Sequence, residues 1–250
     1  MKIGIYGLGR FGQFWAEFMA SQGQVLGYNR SPKAVSGSLE LVDIPTLCTS
    51  DVVFLCSAIS SIPQVCRELA PHLGPDTLIC DTCSVKVFPA NTMAELLPGH
   101  TPILPLHPMF GPDSANPENH DLPLVLCPDP RNLSVSSGLF IQWKDRFENL
   151  GFRVIPMTPQ EHDQEAARTQ GITHFVGRML AELGLSQSSI ATLGYKKIFE
   201  VMEQTCNDPW QLFLDLQQYN PYTRTIRADM ERSFRKLMNI LETLTEDSTQ

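Results

Sequence analysis

The 250-residue chain has no apolar run long enough to span a bilayer. It also has no signal-peptide pattern at its start, because "MKIGIYGLG" turns to glycines before a useful apolar stretch forms. Basic residues are in deficit: 19 Lys and Arg stand against 27 Asp and Glu, a formal net charge of −8. A nucleic-acid partner would want a basic face, so none is expected. Any anionic ligand must be held by local donors, since the overall field does not attract it. Paired cysteines are missing too. Cys48, Cys56, Cys66, Cys80, Cys83, Cys127 and Cys206 are odd in number and dispersed, which suits a reducing compartment. Cys80 and Cys83 do form "CDTC". With no second ligand pair and no thioredoxin-like context, they read as buried thiols at a strand end, and no metal site is expected. No internal repeat or low-complexity tract is visible. These absences leave a cytoplasmic globular protein of one large or two small domains, bound to no membrane.

What is present begins at "KIGIYGLGRFG", an apolar strand running into G-x-G-x-x-G at Gly7, Gly9 and Gly12. An amphipathic helix, "FGQFWAEFMASQG", and a second strand, "QVLGYN", follow. Strand, glycine turn, helix and strand form the context that a dinucleotide fingerprint requires. Gly7 permits the tight turn, Gly9 lets backbone approach a pyrophosphate, and Gly12 lets helix and strand pack closely. The helix N-terminus, at Arg10 and Phe11, offers free N–H groups to phosphates. An NAD site of this type places an Asp or Glu at the end of the second strand. Here that place reads "YNRS". Asn29 carries no charge to repel a 2′-phosphate, and Arg30 and Ser31 can pair with one. NADP is therefore expected over NAD; a solvated Arg30 is the alternative.

Strand and helix patterns continue to alternate through "FRVIPM", with "TPILPLH" read as one of the strands. This predicts an α/β, doubly wound Rossmann-type sheet over residues 1–157. From Thr158 onward only helical spacing appears. Thr158 and Glu161 make a capping box. An all-α domain is expected over 158–250, with substrate in the cleft between the two domains.

One stretch, "LPLHPMFGPDS" at 104–114, boxes His107 between Pro105 and Pro108. Proline removes a backbone donor and fixes φ, so the segment reads as a stiff, shaped loop. A histidine that only packs is one reading; a rigidly aimed base is the other.

The hexapeptide "HPMFGP" carries a resemblance to the prephenate/arogenate dehydrogenases, nearest to the short plant-like arogenate dehydrogenases. The likeness runs through "GLGRFGQFWA", "DTCSVK", "EHDQEAARTQGITHFVGRML", "GYKKIFEVMEQT" and "LQQYNP". It implies oxidative decarboxylation of arogenate or prephenate, with hydride passing to a nicotinamide. It implies His107 as general base and Ser84 as a partner of the substrate hydroxyl or of His107; a helix N-cap is the other role open to Ser84. It places His174 at the substrate, with Thr173 and Gln170 as weaker candidates. His162 and Asp163, at a helix start, read as conformational. It implies a homodimer through the helical domain, no mutase domain before the glycine loop and no regulatory domain after the helices.

One position departs from the resemblance. Bacterial prephenate-using members carry a carboxylate-binding arginine where this chain, counted back from "NDP", has Glu203. A carboxylate there can pair with the ammonium of arogenate and repel the keto acid of prephenate. The alternative is a solvated Glu203 on an amphipathic helix. Two other functions compete with the dehydrogenase. One is a hydroxyacid or ketopantoate reductase using Lys196 or Lys197; the other is a non-enzymatic nucleotide sensor.

Overall fold

A computed structural model describes residues 1–35, 37, 39–129 and 132–247. The chain forms two compact units, Met1–Asp163 and Gln164–Gln250.

The first unit is built on a five-stranded parallel sheet of order β3-β2-β1-β4-β5. Its strands are β1 (Lys2–Tyr6), β2 (Gln24–Tyr28), β3 (Glu40–Leu41), β4 (Val52–Leu55) and β5 (Leu78–Asp81). β4 and β5 are buried along their whole length, as near-continuous apolar strands in a parallel sheet should be. Helices α1 (Arg10–Met19), α2 (Ile44–Leu47), α3 (Ile62–Leu69) and α4 (Val87–Leu96) connect them. In α1 the apolar residues fall at 11, 14, 15, 18 and 19, one face of a 3.6-residue period. That face centres on Trp15, which is fully buried, stacks on Phe152 at 5.8 Å and meets Phe54 edge-on at 5.5 Å.

The remainder of this unit departs from a single doubly wound sheet. β6 (Leu106–Pro108), β7 (Leu122–Leu126) and β8 (Phe152–Pro156) form a second, three-stranded sheet, with α5 (Gly138–Asn149) between β7 and β8. β6 runs antiparallel to β7, and β7 runs parallel to β8. The strand expected over "TPILPLH" pairs as a ladder only from Leu106. Upstream, the chain touches β5 through one isolated bridge, Ile79 to Ile103. Pro102 and Pro105 have no N–H to donate, and each contributes only its carbonyl, to Ile79 N and Cys127 N. His107 therefore lies in a short edge strand opposite Val125, not in a loop. Pro108 is tolerated there because an edge strand needs hydrogen bonds on one side only.

Helix α6 (Pro159–Arg168) starts in the first unit and ends in the second. Its capping box forms: Thr158 N donates to Glu161 Oε2 at 2.8 Å, and Glu161 N donates to Thr158 Oγ1 at 3.2 Å. The helical run expected across 158–184 breaks at Thr169, whose φ of −104° and ψ of −86° leave the helical region. The second unit then holds α7 (Gln170–Glu182), α8 (Leu193–Asn207), α9 (Trp210–Tyr219) and α10 (Thr223–Asp247). α7 and α8 pack closely at Gly177, where a Cβ would lie 2.0 Å from Thr205 Oγ1. Among the described residues, no helix is long and apolar enough to cross a membrane.

Candidate active site

The glycine turn has the shape a dinucleotide needs. Gly7 has φ +97°, and a Cβ there would meet the Cys56 carbonyl oxygen at 2.7 Å. At Gly12 a Cβ would lie 1.8 Å from the Gly7 carbonyl oxygen, so helix and strand approach as only glycine allows. Gly9 differs: nothing stands within 4 Å of its Cβ position. Gly9 is also the N-cap of α1, and no side chain caps that helix. The open side of the turn thus faces uncapped N–H donors, which fits a pyrophosphate. Phe11 turns its ring into the core, stacking on Trp15 at 6.0 Å. Arg10 reaches Asp113 Oδ1 at 2.6 Å.

At the end of β2, Asn29 Oδ1 accepts from Leu8 N at 2.9 Å, and Asn29 Nδ2 donates to the Ser31 carbonyl at 2.8 Å. The "YNRS" turn is thereby locked to the glycine turn. Arg30 Nη1 donates to Gln64 Oε1 at 3.4 Å, and Gln64 Nε2 donates to Glu68 Oε1 at 2.8 Å. Tyr6 closes the chain by donating its hydroxyl to Glu68 at 2.5 Å; burial and then that bond push its phenol pKa up.

The second cluster is buried. His107 is 3% exposed, and its Nδ1 lies 2.8 Å from His162 Nε2. His162 Nδ1 lies 2.8 Å from Asp163 Oδ1. Asp163 also accepts the backbone N–H groups of Lys86 (2.7 Å, at Oδ1) and Val87 (2.9 Å, at Oδ2). It therefore caps the start of α4, across 77 residues of sequence, rather than serving only its own helix. That also corrects the role considered for Ser84: Lys86, not Ser84, is the N-cap residue of α4. Ser84 is half-buried and makes no hydrogen bond to another described residue, so its hydroxyl is available to a ligand.

Lys86 lies beneath this cluster, fully buried and ion-paired with the fully buried Asp81. Its Nζ donates to the Leu106 carbonyl at 2.5 Å, which pins β6 at the residue before His107. Burial pushes the Asp81 carboxyl up, against the pull of Lys86. Burial above all, with the nearby Lys86 ammonium, holds the His107 imidazole well below its ordinary pKa. At neutral pH the ring is uncharged and keeps a lone pair, the form a general base requires. Cys80 and Cys83 are free and buried, and burial pushes both thiols well up, away from nucleophilic or redox use.

In the helical unit, Gln170, His174 and Arg178 repeat every four residues along α7. Gln170 Oε1, His174 Nδ1 and Arg178 Nε are all buried without a hydrogen-bond partner. Burial and then Arg178 lower the His174 pKa to about 4. Its Nε2 lies 3.9 Å from Asp208 Oδ2, too far for a hydrogen bond, and a neutral ring forms no ion pair there. Arg178 donates to the Asp208 carbonyl at 2.6 Å and lies over the Trp210 ring at 5.1 Å. Thr173 is exposed and bonds back to the Thr169 carbonyl at 3.0 Å. Glu203 is exposed on α8, whose Met202 and Thr205 turn inward, and it joins none of these contacts. Lys196 and Lys197 are exposed as well.

Three residues in these clusters, and one link between them, escaped sequence reasoning. Arg178 had a visible signal, one helical turn past His174 in "THFVGR". Lys86 and Asp81 flank the end of β5 with no periodicity to betray them. The link from His162 to His107 is purely tertiary. Among the described residues, no group of three or more His, Cys, Asp and Glu could hold a metal ion.

Comparison with known proteins bears on the family and the fold. Residues 19–134 match the family described as "Prephenate dehydrogenase, nucleotide-binding domain", and residues 179–250 match "TYRAAT1-like, C-terminal domain". The chain is 37% identical over 235 residues to arogenate dehydrogenase 1, chloroplastic, of Arabidopsis thaliana, and 35% identical over 233 residues to arogenate dehydrogenase 2 of that plant. The chain is similar to the prephenate/arogenate dehydrogenases over most of its length. Each Arabidopsis match covers 88% of this chain, which spans 36% of the first relative's length and 64% of the second's. The fold is shared with the crystal structure of Synechocystis arogenate dehydrogenase: TM-score 0.70, 22% identity, 98% of this chain and 93% of that one. It is shared too with prephenate dehydrogenase from A. aeolicus in complex with hydroxyphenyl propionate and NAD+: TM-score 0.77, 19% identity, 98% of this chain and 92% of that one.

Proposed function

We propose that the chain catalyses the NADP-dependent oxidative decarboxylation of arogenate to tyrosine. The observation that carries this reading is a buried, neutral His107, pinned on its strand by Lys86, in the same unit as an uncapped dinucleotide turn. A bound nicotinamide supplies the hydride acceptor. His107 accepts the proton of the ring hydroxyl as hydride leaves that carbon. The ring carboxylate departs as carbon dioxide and the ring becomes aromatic. Ser84 orients the same hydroxyl. His174, Gln170 and Thr173 are the substrate-binding candidates of the helical unit, and the buried Nε of Arg178 adds a donor for a carboxylate.

The NADP reading rests on Asn29, Arg30 and Ser31, with Arg30 held by Gln64. The arogenate reading draws on the two Arabidopsis relatives and on the charge of Glu203. Prephenate is the alternative substrate. A homodimer is part of the same proposal: α10 exposes Phe234, Leu237, Met238 and Ile240, which a second copy would cover.

The test is formation of reduced cofactor from arogenate and from prephenate, each with NADP and with NAD. The expected result is the highest specificity constant for arogenate with NADP. Glu203→Gln should lower the arogenate-over-prephenate ratio by roughly ten- to a hundredfold, the worth of a hydrogen bond to a charged group. Preference for prephenate in the parent, or an unchanged ratio in the variant, would overturn the assignment to arogenate.

A further inference from the structure

Hydrogen-bond bookkeeping decides which nitrogen of His107 can act, and it points to residues outside the contact with substrate. Both oxygens of Asp163 already accept backbone N–H groups, Lys86 N at Oδ1 and Val87 N at Oδ2. The carboxylate therefore meets His162 as an acceptor, and His162 Nδ1 carries the hydrogen across 2.8 Å. A neutral imidazole has one N–H and one lone pair. With one hydrogen on each ring, His162 Nε2 is the lone pair, and across the next 2.8 Å it accepts from His107 Nδ1–H. That leaves His107 Nε2 with no hydrogen and its lone pair facing away from the chain of bonds.

We propose that His162 and Asp163 are positioning residues that fix His107 as its Nδ1–H tautomer, so that Nε2 is the atom that takes the substrate's hydroxyl proton. The inference rests on the dehydrogenase reading above. In the step itself the substrate O–H bond breaks, an N–H bond forms at Nε2, and the oxygen's electron pair forms the carbonyl as hydride leaves the carbon. The positive charge that appears on His107 faces the lone pair of His162, with the Asp163 carboxylate behind it. Asp163 is itself held by the start of α4, so a helix end fixes the orientation of the base. Three of the linked side chains come from two places: His107 from β6, and His162 with Asp163 from α6. His107, His162 and Asp163 are each no more than 3% exposed, so water does not compete for these bonds.

The test has a spectroscopic arm and a kinetic arm. Nitrogen-15 labelling of histidine in the parent enzyme near neutral pH reports the tautomer of each ring, and loss of one signal set in His107→Asn assigns His107. The expected result is hydrogen on Nδ1 and a lone pair on Nε2. Hydrogen on Nε2 would overturn the proposal. In the kinetic arm, His162→Gln keeps an oxygen that can accept from His107 Nδ1, and His162→Leu does not. The glutamine variant should stay within a few-fold of the parent in kcat. The leucine variant should lose kcat on the order of 10²-fold, the cost of a misaimed reacting group, with KM and dinucleotide binding unchanged. Equal losses in the two variants, or a leucine variant as fast as the parent, would overturn it. Should His162→Leu fail to fold, the tautomer measurement on the parent still decides. A parent that turns over neither substrate would instead refute the dehydrogenase reading, whatever the tautomer.

Discussion

In the α/β unit, Ile3, Ile5, Leu8, Trp15 and Phe54 have no exposed surface, whereas the helical unit leaves Leu183, Leu193, Phe234, Leu237 and Leu241 more than half exposed. The contrast follows from architecture. A parallel sheet covered on both faces closes on itself and buries near-continuous apolar strands. Helices α7 to α10 each have one apolar stripe, and the length of α10 gives it more apolar surface than its own unit covers. The first unit buries its large apolar side chains within itself; the second leaves a run of them exposed on α10, the surface that the proposed homodimer would cover.

Paired substitutions would break or sharpen that difference. Trp15→Ala removes the ring at the centre of the aromatic core and should cost about 3–5 kcal/mol of stability, measured by denaturant unfolding. This loss should not depend on protein concentration. Leu237→Asp should instead abolish any concentration dependence of the melting temperature, because mass action couples stability to assembly only where a second copy covers α10. The contrast fails if both variants behave alike.

Acid should probe each unit through a different histidine. His107 and His174 are both held below the ordinary histidine pKa, His174 at about 4. The unfolded chain therefore binds more protons than the native one below about pH 6.5, so stability falls as pH drops from there toward 4. For His174 the loss is on the order of 3 kcal/mol across that window. His174→Gln should flatten the slope between those limits. An unchanged slope would show that His174 is charged in the native protein.

The smallest effect is expected at the cofactor. Arg30 is exposed and only loosely held by Gln64, so one charge-assisted bond is at stake. Arg30→Ala should reduce the preference for NADP over NAD by roughly tenfold, as the loss of a bond worth about 1.5 kcal/mol would do. No change in the cofactor ratio would remove Arg30 from the site.

What the sequence revealed follows the range of the forces involved. The glycine turn, α1 and the parallel strands were legible because a 3.6-residue period, a buried apolar run and a steric demand for glycine are all local. The capping box at Thr158 and Glu161 was legible for the same reason. The break at Thr169 was not, since its flanking residues favour helix on both sides. β6 was misread because two prolines disguise an edge strand as a loop. The bond from His162 to His107 and the capping of α4 by Asp163 span 55 and 77 residues, where no spacing rule reaches. Sequence reasoning singled out His107, His162 and Asp163 separately, but not the bonds that join them. Glu203, expected at the substrate from its distance to "NDP", is exposed on α8.

The central claim is that His107 is the base of a nicotinamide-dependent dehydrogenase. The most direct measurement is the rate of reduced-cofactor formation from arogenate by the parent and by His107→Asn, with dinucleotide binding measured in both. The expected result is turnover in the parent, undiminished dinucleotide binding in the variant, and a fall in kcat of about 10²–10⁴-fold, the range of general-base catalysis. Near-parent turnover in a folded His107→Asn protein would contradict the account.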